Sequence, residues 1–173
     1  PRELFLKGGR LYQRPVRELD EMRRNKVEYH NVTFSDVISL NGIRGRKVDM
    51  ELILRPGDKE KLYQKFALRF AQDEKYQTAI SFRPHESVLK VDRKFSGSRR
   101  AIIHQRRSLV NSTNGELKMR VILDRFSAEV FVNDGEHVLT ATMYTGQSAD
   151  GISFFADGTV NMDVVKYDLV SEG

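Results

Sequence analysis

Cysteine and tryptophan are both absent from this 173-residue chain, and proline occurs only four times. Without a thiol there can be no disulfide framework, no thiolate metal site and no cysteine nucleophile. That composition fits a reducing compartment and leads us to expect a cytoplasmic protein. Without tryptophan, phenylalanine and tyrosine must supply the aromatic part of any core. Long apolar runs are missing as well. Val121-Ile122-Leu123 and Ile152 to Ala156 are among the longest, whereas a membrane-spanning helix needs roughly 20 apolar residues. No membrane partner is expected. No signal-peptide pattern opens the chain, and Pro1 in place of an initiator methionine predicts that the natural protein begins earlier. Asn31-Val32-Thr33 and Asn111-Ser112-Thr113 fit the N-glycosylation pattern, which has meaning only in a secreted eukaryotic protein.

Charge, by contrast, is plentiful and mixed: 29 basic and 24 acidic residues give a net charge of +5. Basic clusters at Arg23-Arg24, Arg44 to Lys47, Arg99-Arg100 and Arg106-Arg107 raise the question of phosphate backbones. Acids lie among them, however, and no recognition-helix or zinc-finger pattern accompanies them. A solvated basic surface is the expectation, with no nucleic-acid partner.

Strand periodicity dominates the chain. In Val48 to Leu54 the apolar residues alternate with Asp49 and Glu51, which places one face on a core and predicts that the two acids meet water. Phe66, Leu68 and Phe70 alternate with Lys65, Ala67 and Arg69, and the same rhythm recurs through Tyr76, Thr78, Ile80 and Phe82. Leu117, Met119, Val121 and Leu123 repeat it, while Val130-Phe131-Val132 is apolar on both faces, as a buried central strand is. Between these runs lie Arg55-Pro56-Gly57-Asp58, Asn114-Gly115, Asn133-Asp134-Gly135, Asp150-Gly151 and Asp157-Gly158. Such residues tolerate the positive φ of tight reversals. Short strands at this spacing predict an all-β antiparallel sandwich or barrel in one domain. One segment breaks the rhythm: Pro15 to Arg24 opens with proline, then carries acids before bases, and predicts a short helix over residues 15–24.

Hydrolysis of a glycosidic bond needs two carboxyl groups flanking it. Asp92, Asp124 and Glu129 are the internal candidates, each in or beside an apolar strand. Arg93 and Arg125 follow the two aspartates directly, so structural ion pairs or turn caps are the favoured reading. Glu129, between Ala128 and Val130, is expected to have a partner or to face water. His30, His85, His104 and His137 are scattered and form no metal-binding pattern. Asn41-Gly42-Ile43-Arg44-Gly45 lacks the ending of a phosphate loop and reads as a turn. Tyr63, Tyr76 and Tyr167 could stack on sugars, but core packing explains them equally well. No cofactor and no metal is expected.

Three stretches together resemble the C-terminal region of glycoside hydrolase family 32, which includes invertases, levanases and sucrose-6-phosphate hydrolases. The first runs from Pro1-Arg2-Glu3-Leu4 to Tyr12-Gln13-Arg14-Pro15-Val16-Arg17-Glu18-Leu19, and the second is Leu89 to Gly97 with its Asp92-Arg93 and terminal Ser96-Gly97. The third and most specific is Asp124-Arg125-Phe126-Ser127-Ala128-Glu129-Val130-Phe131-Val132-Asn133. The resemblance implies a lectin-like, concanavalin-type jelly-roll sandwich of two antiparallel sheets, joined in the parent enzyme to an N-terminal five-bladed propeller that holds the active site. It implies an arm at 1–16 leading from that propeller and a sandwich domain at 17–173. The family's Asn-Asp-Pro-Asn, Arg-Asp-Pro and Glu-Cys motifs do not occur here, so no catalytic residue is carried over. Asp92, Arg93, Asp124, Arg125, Glu129, Phe131 and Asn133 are carried over as structural motif positions. The implied role is a non-catalytic module that stabilises the propeller, with a homo-oligomer contact or a weak fructan-binding function as further possibilities.

Overall fold

The computed structural model describes residues 2–95, 105–110, 114–143 and 145–170, with backbone only at 93–95 and 105–108. Ser96-Gly97, Arg99-Arg100, His104 and the Asn111 to Thr113 tripeptide lie outside the described residues, as does the Arg93 side chain. The chain opens with a hairpin of β1 (Arg2–Lys7) and β2 (Arg10–Pro15), which turns at Gly8 and Gly9, both at positive φ. A single helical turn, α1 (Glu18–Glu21), leads into the long strand β3 (Arg23–Ile38). The helix expected over residues 15–24 is therefore shorter at both ends. Pro15 finishes β2, and Arg23 and Arg24 already belong to β3, where Arg23 is drawn to a buried carboxylate described below. Four residues of helix hold only because neighbours hold them.

The remaining strands are β4 (Val48–Pro56), β5 (Lys65–Gln72), β6 (Gln77–Arg83), β7 (Val88–Phe95), β8 (Gln105–Leu109), β9 (Leu117–Asp124), β10 (Ser127–Val132), β11 (His137–Thr142) and β12 (Gly151–Leu169). They pair antiparallel in the order β11-β10-β9-β4-β12-β5-β6-β7-β8, with β3 along the other edge of β12. The 19-residue β12 makes the sandwich. Its first half pairs with β5 and its second half with β4, while β3 follows it through both. The two expected sheets are thus two layers of one continuous hydrogen-bonded sheet, folded across β3 and β12.

The fold line is at Asp157-Gly158-Thr159. Pairing passes there from Asp157 opposite Lys65 to Val160 opposite Pro56, and Gly158 sits at φ +99°. This Asp-Gly pair bends a strand rather than reversing the chain, and Asp150-Gly151 likewise starts β12 rather than closing a hairpin. A bulge increases local twist and re-aims a strand, which is what one strand serving two layers requires. Asn133-Asp134-Gly135 does reverse the chain, as a 3-10 turn between β10 and β11.

The core lies between the layers. Phe66, Phe70, Phe82 and Phe154 come from one side and Leu52, Met119, Leu123 and Val130 from the other, all essentially without solvent exposure. The alternation of β5, β6 and β9 places these side chains inward as the sequence predicts. Tyr63 belongs to the core rather than to a sugar site: it is fully buried and donates its hydroxyl to the Gly115 carbonyl at 2.6 Å. Burial pushes its phenol pKa upward. On the outside of β12, Asp163 accepts the Asn31 amide at 2.8 Å, where β3 is irregular, and pairs with Arg55 at 2.5 Å.

Gly158→Ala should destabilise the chain by about 1–2 kcal/mol through its left-handed backbone, and by more because the added Cβ would lie 2.9 Å from the Tyr63 Cα; urea unfolding measures it. Asp163 gives a pH-dependent counterpart. The Arg55 guanidinium holds its carboxyl below the usual carboxylate range, so its contribution is present above the unfolded value near ~4 and is lost as pH falls through the folded one. The stability gap between the native chain and Asp163→Asn should therefore narrow on acidification below about pH 4.

Candidate functional site

The face of β4, β9 and β10 that points away from the core is where the sequence motifs converge. Register places Tyr167, Asp49, Ile122 and Glu129 in one cross-strand row, and Glu51, Arg120 and Phe131 in the next. Alternation therefore assigned Asp49 and Glu51 to the correct face. That face does not meet water at Asp49, which is completely buried. The cause is charge pairing under a cover. Arg23 Nε donates to Asp49 at 2.8 Å, and Arg120 donates through Nε at 2.9 Å and a terminal nitrogen at 2.6 Å. Arg120 also reaches Asp20 of α1 at 2.9 Å, while Arg23 reaches Glu51 at 3.2 Å and lies over the Tyr167 ring at 4.5 Å. Burial opposes both guanidinium charges, yet hydrogen bonding and the Asp49 charge leave their pKa values above the ordinary arginine value. The network ties the α1 turn to the sheet.

The hairpin docks on the same face. Arg2 pairs with Glu129 at 3.0 Å and Arg10 with Glu136 at 2.9 Å. Gly135 lies so close to the Gln13 carbonyl that a Cβ would be 1.6 Å from its oxygen, which only glycine permits. Phe131 is 3% exposed although it points away from the core. A groove of about 350 Å³ remains where α1 and Pro15 meet the sheet, lined by Leu19, Met22, Ile122, Asp124, Glu129 and Phe131.

The three candidate carboxylates do not all converge. Asp92 is on β7, in the other layer. Asp124 and Glu129 line one groove, but Asp124 is exposed and accepts the Arg125 amide at 2.8 Å, capping the β9–β10 turn. Glu129 faces the Arg2 guanidinium, the partner its setting demands. The Arg125 carbonyl accepts a hydrogen bond from Arg46, and Asn133, at positive φ, accepts the Lys118 amide at 3.5 Å.

Two functional residues had no distinct sequence signal. Arg46 stood within a basic run, yet it is 6% exposed and donates to the carbonyls of Gly146, Thr145 and Ala149 as well as Arg125. Burial lowers its pKa. Arg120 read only as the polar member of an alternating strand. Among the described residues, no group of three or more His, Asp or Glu side chains could hold a metal ion, and no helix is long and apolar enough to cross a membrane.

The profile of the family described as "Glycosyl hydrolases family 32 C terminal" matches residues 18–170. A probable sucrose-6-phosphate hydrolase of Vibrio cholerae is 30% identical over 152 residues, covering 88% of this chain and 25% of that protein. The levanase of Bacillus subtilis is 30% identical over 169 residues, covering 90% of this chain and 24% of that protein. Among solved structures, the sucrose-6-phosphate hydrolase from Lactobacillus gasseri superposes with a TM-score of 0.79 at 24% identity, over 98% of this chain and 33% of that one. Fructan 1-exohydrolase IIa from Cichorium intybus gives 0.78 at 20% identity, over 98% and 40%. The chain spans about a quarter of the length of these two curated relatives.

Arg120→Ala should cost about 3 kcal/mol, because it leaves the buried Asp49 with one guanidinium instead of two. The triple change Arg23→Met, Asp49→Leu and Arg120→Met should recover most of that loss, since apolar residues of similar volume need no charge compensation. Chemical denaturation of the two variants checks both statements.

Proposed function

This chain belongs to the glycosyl hydrolase family 32 C-terminal family, and we propose that it is the non-catalytic module of an enzyme that hydrolyses sucrose, sucrose 6-phosphate or β-fructans, where it stabilises the catalytic domain. The observation that carries this reading is the hairpin. It precedes the residues that the family profile matches and forms a two-stranded sheet of its own. Leu4, Leu6 and Leu11 on it are 64%, 75% and 57% exposed. Leu6 and Leu11 are direct cross-strand partners, so they share one face, and Leu4 joins them at the next position of the same parity. Apolar side chains so presented mark a surface that expects a partner. The hairpin is the arm at 1–16, and residues 17–173 are the sandwich that anchors it.

The motif residues support the non-catalytic part of the reading. Asp124, Arg125, Glu129, Phe131 and Asn133 serve turn caps, a carbonyl contact, the Arg2 pair and the hairpin seat. Glycan capture has less behind it. Tyr63 is buried, Tyr167 is covered by Arg23, and Phe131 lies under the hairpin, so none offers an open ring for sugar stacking.

The chain alone should release no fructose from sucrose, sucrose 6-phosphate or levan, whereas the longer natural protein that contains it should. Fructose release by the purified chain would refute the proposal. In that longer protein, Leu4→Ser with Leu6→Ser and Leu11→Ser should remove about 2 kcal/mol of apolar burial for each leucine and lower the melting temperature. The same changes should alter the unfolding of the isolated chain by no more than about 0.5 kcal/mol. Equal effects on both would mean that the leucines dock against nothing.

A further inference from the structure

The outer face of the other layer has a different electrostatic character. Phe155, Ala67, Ser81 and Lys90 lie in one cross-strand row over β12, β5, β6 and β7. Lys65 and Arg69 flank Ala67 at the same parity on β5, and Arg83 flanks Ser81 on β6. The row's two small residues form a floor, with Ala67 only 2% and Ser81 8% exposed. The cations stand around it. Lys65 Nζ and Arg69 Cζ lie 6.0 Å and 5.1 Å from the centre of the half-buried Phe155 ring.

Ion pairing separates this face from the face that carries the Asp49 network. Arg2, Arg10, Arg14, Arg23, Arg44, Arg55 and Arg120 each meet a carboxylate. Lys65, Arg69, Arg83 and Lys90 form no salt bridge among the described residues. Asp157 lies opposite Lys65 in register without bridging it, and Asp92 only partly offsets the cations. Burial, followed by the charges of Arg83, Lys90 and Arg69, lowers the Lys65 pKa. Ser81, 8% exposed, stands between them with its side chain on this face.

We propose that this basic patch, with Ala67 and Ser81 set among Lys65, Arg69, Arg83 and Lys90, is a binding site for a compact phosphate-bearing ligand. Cations gathered on neighbouring strands about 4.8 Å apart suit one dianionic group with several oxygens, to which Ser81 can donate. A long polyanion fits less well, because Asp92 and Asp157 share the face and would repel its flanks. The half-buried Phe155 ring, over which Lys65 and Arg69 lie, is the apolar group nearest the cations that a sugar carrying the phosphate would meet. This site is in the layer away from the hairpin and does not depend on the role proposed for it.

The test is an NMR titration of the full 173-residue chain with inorganic phosphate, fructose 6-phosphate and fructose at fixed ionic strength. Inorganic phosphate or fructose 6-phosphate should produce saturable shifts at the amides of Ala67, Ser81 and Lys90, and fructose should not. Lys65→Met and, separately, Lys90→Met should each weaken the affinity at least tenfold; both are surface changes whose folding the same spectra verify. If fructose 6-phosphate binds at least tenfold more tightly than inorganic phosphate and Phe155→Ala removes that advantage, a sugar phosphate is the ligand. If the two bind equally, the site takes phosphate itself. Shifts that stay linear, equal affinity in both lysine variants, or tighter binding of a DNA oligonucleotide than of either phosphate would overturn the proposal.

Discussion

A carboxylate with no access to water organises the half of this molecule that carries the hairpin. Asp49 is completely buried, and an unpaired charge in that position would cost several kcal/mol. Two guanidiniums are therefore obligatory, and each is tethered elsewhere. Arg120 holds Asp20 in α1, and Arg23 spans Glu51 and the Tyr167 ring. The charge balance consequently fixes the point where the chain leaves the hairpin and enters the sandwich. A purely apolar contact would be as stable or more so, but it would tolerate sliding. Directional bonds to one carboxylate set the register.

The two layers carry different surfaces because β12 and β3 are shared between them. A strand that bends at Gly158 keeps its inward residues in one core, so Phe154 and Val164, ten positions apart, are both buried in it. Its outward residues diverge. The first half of β12 presents Phe155 to the unpaired cations of β5 and β6, and the second half presents Tyr167 beside the Asp49 network. One continuous sheet thus produces a face with matched charge, covered by its own N-terminal segment, and a face with unmatched positive charge.

Much of this was legible in the alternation. Period-two patterning located the core residues of β4, β5, β6 and β9 and the side on which Asp49 and Glu51 stand, because one buried face specifies parity strongly. Parity does not say what lies on top of a face, and this is why Asp49 read as solvent-exposed. The Asp157-Gly158 pair had the chemistry of a reversal; only the pairing on both sides of it, a long-range property, makes it a bend. The short helix near residues 15–24 is present but ends at Glu21 for a related reason. Its charge order suited a helix, but the demand of Asp49 for Arg23 outweighed a few tenths of a kcal/mol of helix-dipole interaction. Arg46 was the least visible, since its partners are backbone carbonyls and carbonyls have no sequence identity.

The same reasoning accounts for the polar residues in the most specific stretch of the sequence. A run such as Asp124 to Asn133 looks like an active-site signature because several of its polar residues are fixed at once. In the structure each polar residue answers a backbone or docking requirement. Asp124 caps a turn, Glu129 meets Arg2, and Asn133 adopts a positive φ that leads to Gly135, where the Gln13 carbonyl leaves no room for a Cβ. Phe131 between them is buried on the side away from the core, which makes sense only with the hairpin in place. A hairpin turn that must both reverse the chain and receive a second hairpin edge-on restricts nearly every residue it contains. Sequence specificity of this kind records the geometry by which the hairpin is attached to the sandwich.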